Sequence, residues 1–175
     1  RKSAGLGKSP TVPDPDIYEH KYVHCDVLII GAGISGILAA KTAAKNGFKT
    51  LLVDEKPYLG GSTIYQNSEH FKINNQTSGS WLEKEINEIK KIGNLEIKTR
   101  TSVAAFHGYN FLLARENLTD HLPLDQRNNK TRHRLLKIRA NKVITATGSL
   151  ERPLIFDNND RPGIFLSSAV EKYAN

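Results

Sequence analysis

Asp26-Val27-Leu28-Ile29-Ile30-Gly31-Ala32-Gly33-Ile34-Ser35-Gly36 sets a continuous aliphatic run directly before a glycine-spaced loop. The run has the pattern of a strand buried on both faces. After the loop, Ile34 to Asn46 carries apolar or small residues on nearly every turn, and Gly47 follows as a helix stop. Thr50-Leu51-Leu52-Val53 reads as a second buried strand. A crossover of about 20 residues between the two strands makes them parallel. Within this β-α-β unit Gly31 permits the tight turn out of the strand. Gly33 has no Cβ, so a pyrophosphate can approach the backbone, and Gly36 lets the helix lie close to the sheet. The helix N-terminus at Ile34, Ser35 and Gly36 presents free amides and the positive end of the macrodipole to the phosphates.

The second strand ends in acid. Asp54 lies 18 residues beyond Gly36, and Glu55 follows it. A carboxylate here accepts hydrogen bonds from ribose hydroxyls and repels a 2′-phosphate, which favours NAD or FAD over NADP. Adjacent like charges cannot both face the ribose, and spacing selects Asp54. Leu59-Gly60-Gly61-Ser62 follows the acid, and Ala146-Thr147-Gly148 ends a late strand. In order and together these segments resemble the flavoproteins of the glutathione reductase type, in which small residues of the last strand approach the cofactor. That class usually holds FAD in its first domain. The expected fold is α/β, a Rossmann-like parallel sheet of that type with an antiparallel hairpin insertion.

Outward from this unit, residues 1–20 hold three of the seven prolines and two glycines without an apolar period. They read as a linker or extended arm over residues 1–22, with residues 23–175 forming the dinucleotide-binding domain, expected to be incomplete at its C-terminal end. After a polar stretch to Gly79, Ser80-Trp81-Leu82-Glu83 reads as a capping box, with Leu82, Ile86 and Ile89 as the buried stripe of a helix. Leu95 to Val103 reads as a third strand. Ala105–Phe106 and Phe111–Ala114 flank a hairpin turn at His107-Gly108-Tyr109-Asn110, and Asn117 to His133 reads as a 17-residue polar loop. Leu135–Ala140 reads as an edge strand and Lys142–Gly148 as a further one. Gly163–Leu166 looks strand-like and Ser167–Tyr173 helix-like.

Composition narrows the function classes. The 175 residues have 38% apolar and 25% charged content, and the longest apolar runs fall far short of the roughly 18 residues of a membrane span. The single cysteine, Cys25, supports neither a disulfide framework nor a CxxC metal site, so no metal centre is expected, and a reducing, cytoplasmic location is the simpler reading. The sequence begins at Arg1 and contains no methionine, which suggests a processed or excised piece. Net charge is +7, and seven basic residues without an acid lie between Gln126 and Lys142. Either this segment meets an acidic partner or subunit, or its lysines and arginines protect a strand edge. A charge excess confined to one patch argues against nucleic acid. His107, His121 and His133 read as turn or loop residues, Cys25 reads as packing, and no residue is singled out as catalytic.

Longer strings narrow the resemblance. Asp14 to Leu28 before the glycine loop, and Ala146 to Phe156 and Asn159 to Gly163 after it, resemble the α subunit of heterotetrameric sarcosine oxidase. The resemblance covers only the middle of that subunit. It implies NAD in the site of Gly31–Gly36, FAD on a β subunit and FMN at the α/β interface. It further implies oxidative demethylation of sarcosine to glycine, with the amine substrate held on a partner subunit and other subunits completing a hetero-oligomer. On this reading the chain alone does not turn over sarcosine. A related opine- or glycine-oxidising complex, a self-contained FAD oxidoreductase and a nucleotide-sensing module stay open.

Overall fold

The structure, a computed structural model, describes residues 9–66 and 71–174. Residues 1–8 of the expected arm and 67–70 of the polar stretch lie outside the described residues. The chain forms β1 (Ile17–Ile30), α1 (Ile34–Lys45), β2 (Thr50–Val53), β3 (Lys72–Ile73), β4 (Gln76–Thr77), α2 (Ser78–Ile89), β5 (Leu95–Lys98), β6 (Thr101–His107), β7 (Phe111–Asn117), β8 (Thr131–Thr145) and α3 (Ser167–Ala174). One six-stranded sheet runs in the order β5-β2-β1-β8-β7-β6. β5, β2, β1 and β8 are parallel, and β8, β7 and β6 continue the sheet antiparallel.

The aliphatic run of β1 explains the layering. Val27 and Ile29 pack with Ile37 and Ala40 of α1 and with Trp81, Leu82 and Ile89 of α2. Leu28 faces the other way, joining Leu51 and Val53 with Leu112, Ala114, Leu136 and Ile138 from the antiparallel half. The Val27–Ile30 run of β1 is therefore covered on both faces, as its unbroken hydrophobicity requires.

Several elements depart from expectation. The arm does not extend to Tyr22: β1 begins at Ile17 and pairs with β8 from there. Its polar residues conceal a strand because their partners are charges more than a hundred positions away, Asp16 on Arg132 and Glu19 on Arg134. The two late strands are one 15-residue strand, β8, and it is interior, flanked by β1 and β7. Edge protection therefore does not account for its basic residues. The expected third strand divides at Arg100, whose φ of +51° turns the chain between β5 and β6. Thr77, not Ser80, caps α2, with its side-chain oxygen accepting from the Ser80 amide. Asn74 and Asn75 adopt left-handed φ values and close a short β3–β4 hairpin within the polar stretch. Gly163–Leu166 forms no strand, while α3 follows it as expected. The hairpin between β6 and β7 stands where His107–Asn110 predicts it.

Candidate functional site

The glycine loop is defined by what each missing Cβ would strike. Gly31 has φ +100°, and a Cβ there would overlap the Ala146 carbonyl oxygen at the end of β8. Its amide donates to Val53 O at 2.8 Å, and the Ala146 amide donates to Ile30 O at 2.7 Å, so three strand ends converge on this turn. A Cβ on Gly36 would overlap the Gly31 carbonyl, which is the close helix approach that the spacing implies. Gly33 differs from both. Among the described residues no atom beyond its immediate chain neighbours stands within 4 Å of where its Cβ would be, so the loop opens outward there.

Gly33 is also the N-cap of α1. No side chain caps the helix, and no acid occupies its first turn. Among the described residues its first-turn amides, around Ile34 and exposed Ser35, thus have no intrahelical partner, and the helix supplies no acid of its own beside them. The second glycine pair packs against the same loop. The Gly60 amide donates to Ala32 O at 2.7 Å, and a Cβ on Gly61 would lie 3.0 Å from Gly33 Cα. Gly60 and Gly61 have φ +119° and +59°, and a Cβ at Gly60 would press on Leu82. Ser62 continues into a 3-10 turn at Gly61–Tyr65. Thr147 and Gly148 leave β8 exposed, next to Ala146.

The two acids divide differently from the spacing argument. Asp54 Oδ2 accepts the Ala32 amide at 2.6 Å, and its Oδ1 accepts the Lys56 amide at 2.8 Å. The side chain braces the glycine loop from beneath. Glu55 is exposed and, among the described residues, holds no hydrogen-bond or ionic partner. The brace is invisible in sequence, because an acid that serves main-chain amides and one that serves a ligand occupy the same strand end.

Cys25, His107 and His133 take part in packing and local pairing. Cys25 is buried, and burial, reinforced by Asp26, pushes its thiol up to about 11. Such a thiol is a packing group, not a nucleophile. His107 lies against the Phe111 ring, and His133 Nε2 lies 2.6 Å from Asp120 Oδ2. Among the described residues no cluster of ligating side chains could hold a metal, and no helix is long and apolar enough to cross a membrane. The basic segment found in the sequence splits in two. Arg132 pairs with Asp16 and Asp120, and Arg134 pairs with Glu19 and Glu116, whereas Lys137 and Arg139 lie over the rings of Tyr22 and Phe111.

Known proteins resemble this chain in sequence and in fold. The chain is 39% identical to the sarcosine oxidase subunit alpha of Corynebacterium sp. (strain P-1), over 98% of its own length and 18% of that protein. It is 36% identical to the subunit of the same name from Rhizobium meliloti (strain 1021), over 100% of its length and 17% of that protein. The chain thus spans about a fifth of these relatives. Among solved structures, L-proline dehydrogenase from P. horikoshii superposes with a TM-score of 0.63 at 28% identity, covering 83% of this chain and 27% of that one. The profile described as FAD dependent oxidoreductase matches residues 26–148, from the head of the aliphatic run to the end of the Ala146-Thr147-Gly148 segment, and the chain belongs to that oxidoreductase family.

Proposed function

We propose that the loop of Gly31–Gly36 binds the ADP half of a dinucleotide, with NAD as its occupant, in a subunit of an amine-oxidising complex of the sarcosine oxidase type. The observation that carries this reading is the contrast at the glycines. Gly31 and Gly36 are filled by backbone, whereas Gly33 opens onto space beside an uncapped helix terminus. The amides around Ile34 and Ser35 receive the pyrophosphate, and Gly60 and Gly61 roof that position. Glu55, with no other partner, takes the ribose hydroxyls. Asp54 keeps the loop in shape from below. Ser62 and the Ala146-Thr147-Gly148 segment border the part of the cofactor beyond the pyrophosphate.

The bound group supplies hydride transfer, and this chain supplies its floor. The family description favours a second occupant, FAD, which shares the same ADP half. By likeness to the sarcosine oxidase α subunit, the amine substrate, the FAD that oxidises it and the FMN belong elsewhere in the complex, among companion subunits.

Denaturing the purified protein tests the occupant. Release of colourless NAD supports the proposal, and stoichiometric release of yellow flavin overturns it in favour of FAD. Gly33→Val tests the site: we expect loss of dinucleotide retention with the fold intact by circular dichroism, because the added side chain meets ligand rather than protein. Equal retention in the two proteins would remove the site. Glu55→Gln is expected to relax discrimination against NADP, and tighter binding of NADP than NAD by the unaltered protein would end the ribose role of Glu55.

A further inference from the structure

The two halves of β1 turn different residues toward the core. Val23 and Cys25 pack with β7 and β8, whereas Val27 and Ile29 pack under α1 and α2, so the alternation of side chains changes face at Asp26. The end of α1 lies near this point, where Asn46 and Phe48 join Asp26, Asn141 and Ile144 around an apolar groove of about 700 Å3. On the half of β1 before Asp26, the face opposite the core is bare, with Tyr18, His20, Tyr22 and His24 all exposed.

Register carries this face across the sheet. Tyr22 stands opposite Lys137, and Lys137 opposite Leu113. His24 stands opposite Arg139, and Arg139 opposite Phe111. In the row beside them, Leu135 stands between His20 and Arg115. Lys137 Nζ lies 5.0 Å from the Tyr22 ring centroid, and the Arg139 guanidinium lies 5.0 Å from that of Phe111. Arg139 also donates to Tyr109 O at 3.1 Å. Each cation thus sits over a ring.

No carboxylate stands in these three rows. Those at the ends are engaged: Asp14 accepts the Tyr18 hydroxyl, Asp120 holds His133 and Arg132, and Asp26 accepts from Asn141 and the Lys49 amide. Glu19 and Glu116 serve Arg134, which points to the core side of β8.

We infer that this face, centred on Tyr22, Lys137, Phe111 and Arg139, is a docking surface for a carboxylate-rich face of another protein. An incoming carboxylate gains charge-assisted hydrogen bonds without displacing an acid already present. The rings supply contact area at small entropic loss, and aromatics with arginine, in the absence of acids, are the composition of an interface centre. Nucleic acid fits less well, since a phosphate backbone draws on a longer track of free cations than these ring-bound ones provide. The inference does not depend on the dinucleotide reading and can fail without it.

The test is fluorescence anisotropy of a fluorescein-labelled peptide of alternating glutamate and glycine at low salt, with the full chain. The double variant Lys137→Glu/Arg139→Glu is compared with wild type and with Lys90→Glu/Lys91→Glu, which changes net charge equally at exposed positions after α2. We expect about a tenfold weakening in the first variant and less than about a twofold change in the second. The thermal midpoint of each protein is recorded alongside. Exposed Arg115→Glu reads the same face from outside the cation–ring pairs should the double variant unfold. Equal weakening in the face and control variants, or no peptide binding at all, overturns the docking surface. Tighter, face-dependent binding of single-stranded oligothymidylate also overturns it, by replacing the acidic protein with nucleic acid.

Discussion

β1 and β8 run side by side for almost their whole lengths, yet their two halves are joined by different physics. From Val27 to Ile30, opposite Lys142 to Thr145, the pair leads into the glycine loop, where Gly31 touches Ala146 and Gly36 touches Gly31 with no room for a methyl group. From Ile17 to Cys25, opposite Thr131 to Ala140, the pair is fastened by ions, with Arg132 between Asp16 and Asp120 and Arg134 between Glu19 and Glu116. Steric fit is satisfied by one residue type or not at all. An ion-pair network loses one partner and keeps the others, so the glycine end is expected to fail abruptly and the charged end by degrees.

Gly36→Ala is the sharpest way to break that contrast. The new methyl meets the Gly31 main chain, which cannot rotate away, and we expect a loss of about 3–5 kcal/mol in urea unfolding. Gly33→Val, three residues away, should unfold at nearly the wild-type midpoint. A loss below about 1 kcal/mol for Gly36→Ala would mean that the helix shifts to make room, and that the fit is softer than the contact geometry implies.

At the charged end the largest effect is expected from Glu116→Gln. Glu116 Oε1 lies 3.0 Å from Lys98 Nζ, and its Oε2 lies 2.9 Å from Arg134. The Lys98 side chain is only 9% exposed, so removing the charge leaves a nearly buried ammonium with exposed Glu96 as its remaining partner, at 3.3 Å. Because Glu96 and Glu19 stay in place, we expect about 2–3 kcal/mol, less than for severing an isolated buried pair. Urea titration checks the value. A cost equal to that of Gly36→Ala would erase the distinction between the two ends.

Legibility in the sequence follows the same division. The β-α-β unit is readable because Val27–Ile30 and the glycines of the loop are local patterns with a single structural solution. The strand of Ile17–Cys25 is unreadable because its partners lie about 115 residues away in sequence and its exposed face carries Tyr18, His20, Tyr22 and His24 in place of an apolar alternation. Leu136, Ile138 and Ala140 do alternate with Lys137 and Arg139, and that period correctly marks a strand with one buried face. Period alone does not say whether a neighbour strand lies on each side, so β8 reads as an edge. At the site, the glycines are legible for the same local reason as the loop. The division of labour between Asp54 and Glu55 is not, since it depends on which carboxylate points back at the Ala32 amide.

The smallest of these effects, and the one that separates the two ends by a condition instead of a cavity, is the response to acid at Asp120. Its carboxylate lies 2.6 Å from His133 Nε2, accepts from Arg132 Nε at 2.6 Å and accepts from Asn117 Nδ2 at 3.1 Å, while Arg127 donates to its main-chain oxygen. His133 first and Arg132 second hold its carboxyl down at about 2, against an ordinary value of 3.8. A depressed carboxyl contributes stability that is present above the unfolded value and disappears as pH falls through the folded one, so the window of loss runs from about pH 4 to pH 2. The side chain is 28% exposed and solvent screens the pair, so we expect Asp120→Asn to cost about 1 kcal/mol at neutral pH. Below pH 2 the variant and the wild type should converge, because the proton then removes what the substitution removed. Hydrogen exchange locates the loss: amides from Thr131 to Lys137 should lose protection on acidification before those from Val143 to Thr145, since the contacts of Asp120 run to Asn117, Arg132 and His133 and not to that end. A difference between the two proteins that stays constant from pH 7 to pH 2 would show that Asp120 acts there through shape and not through charge.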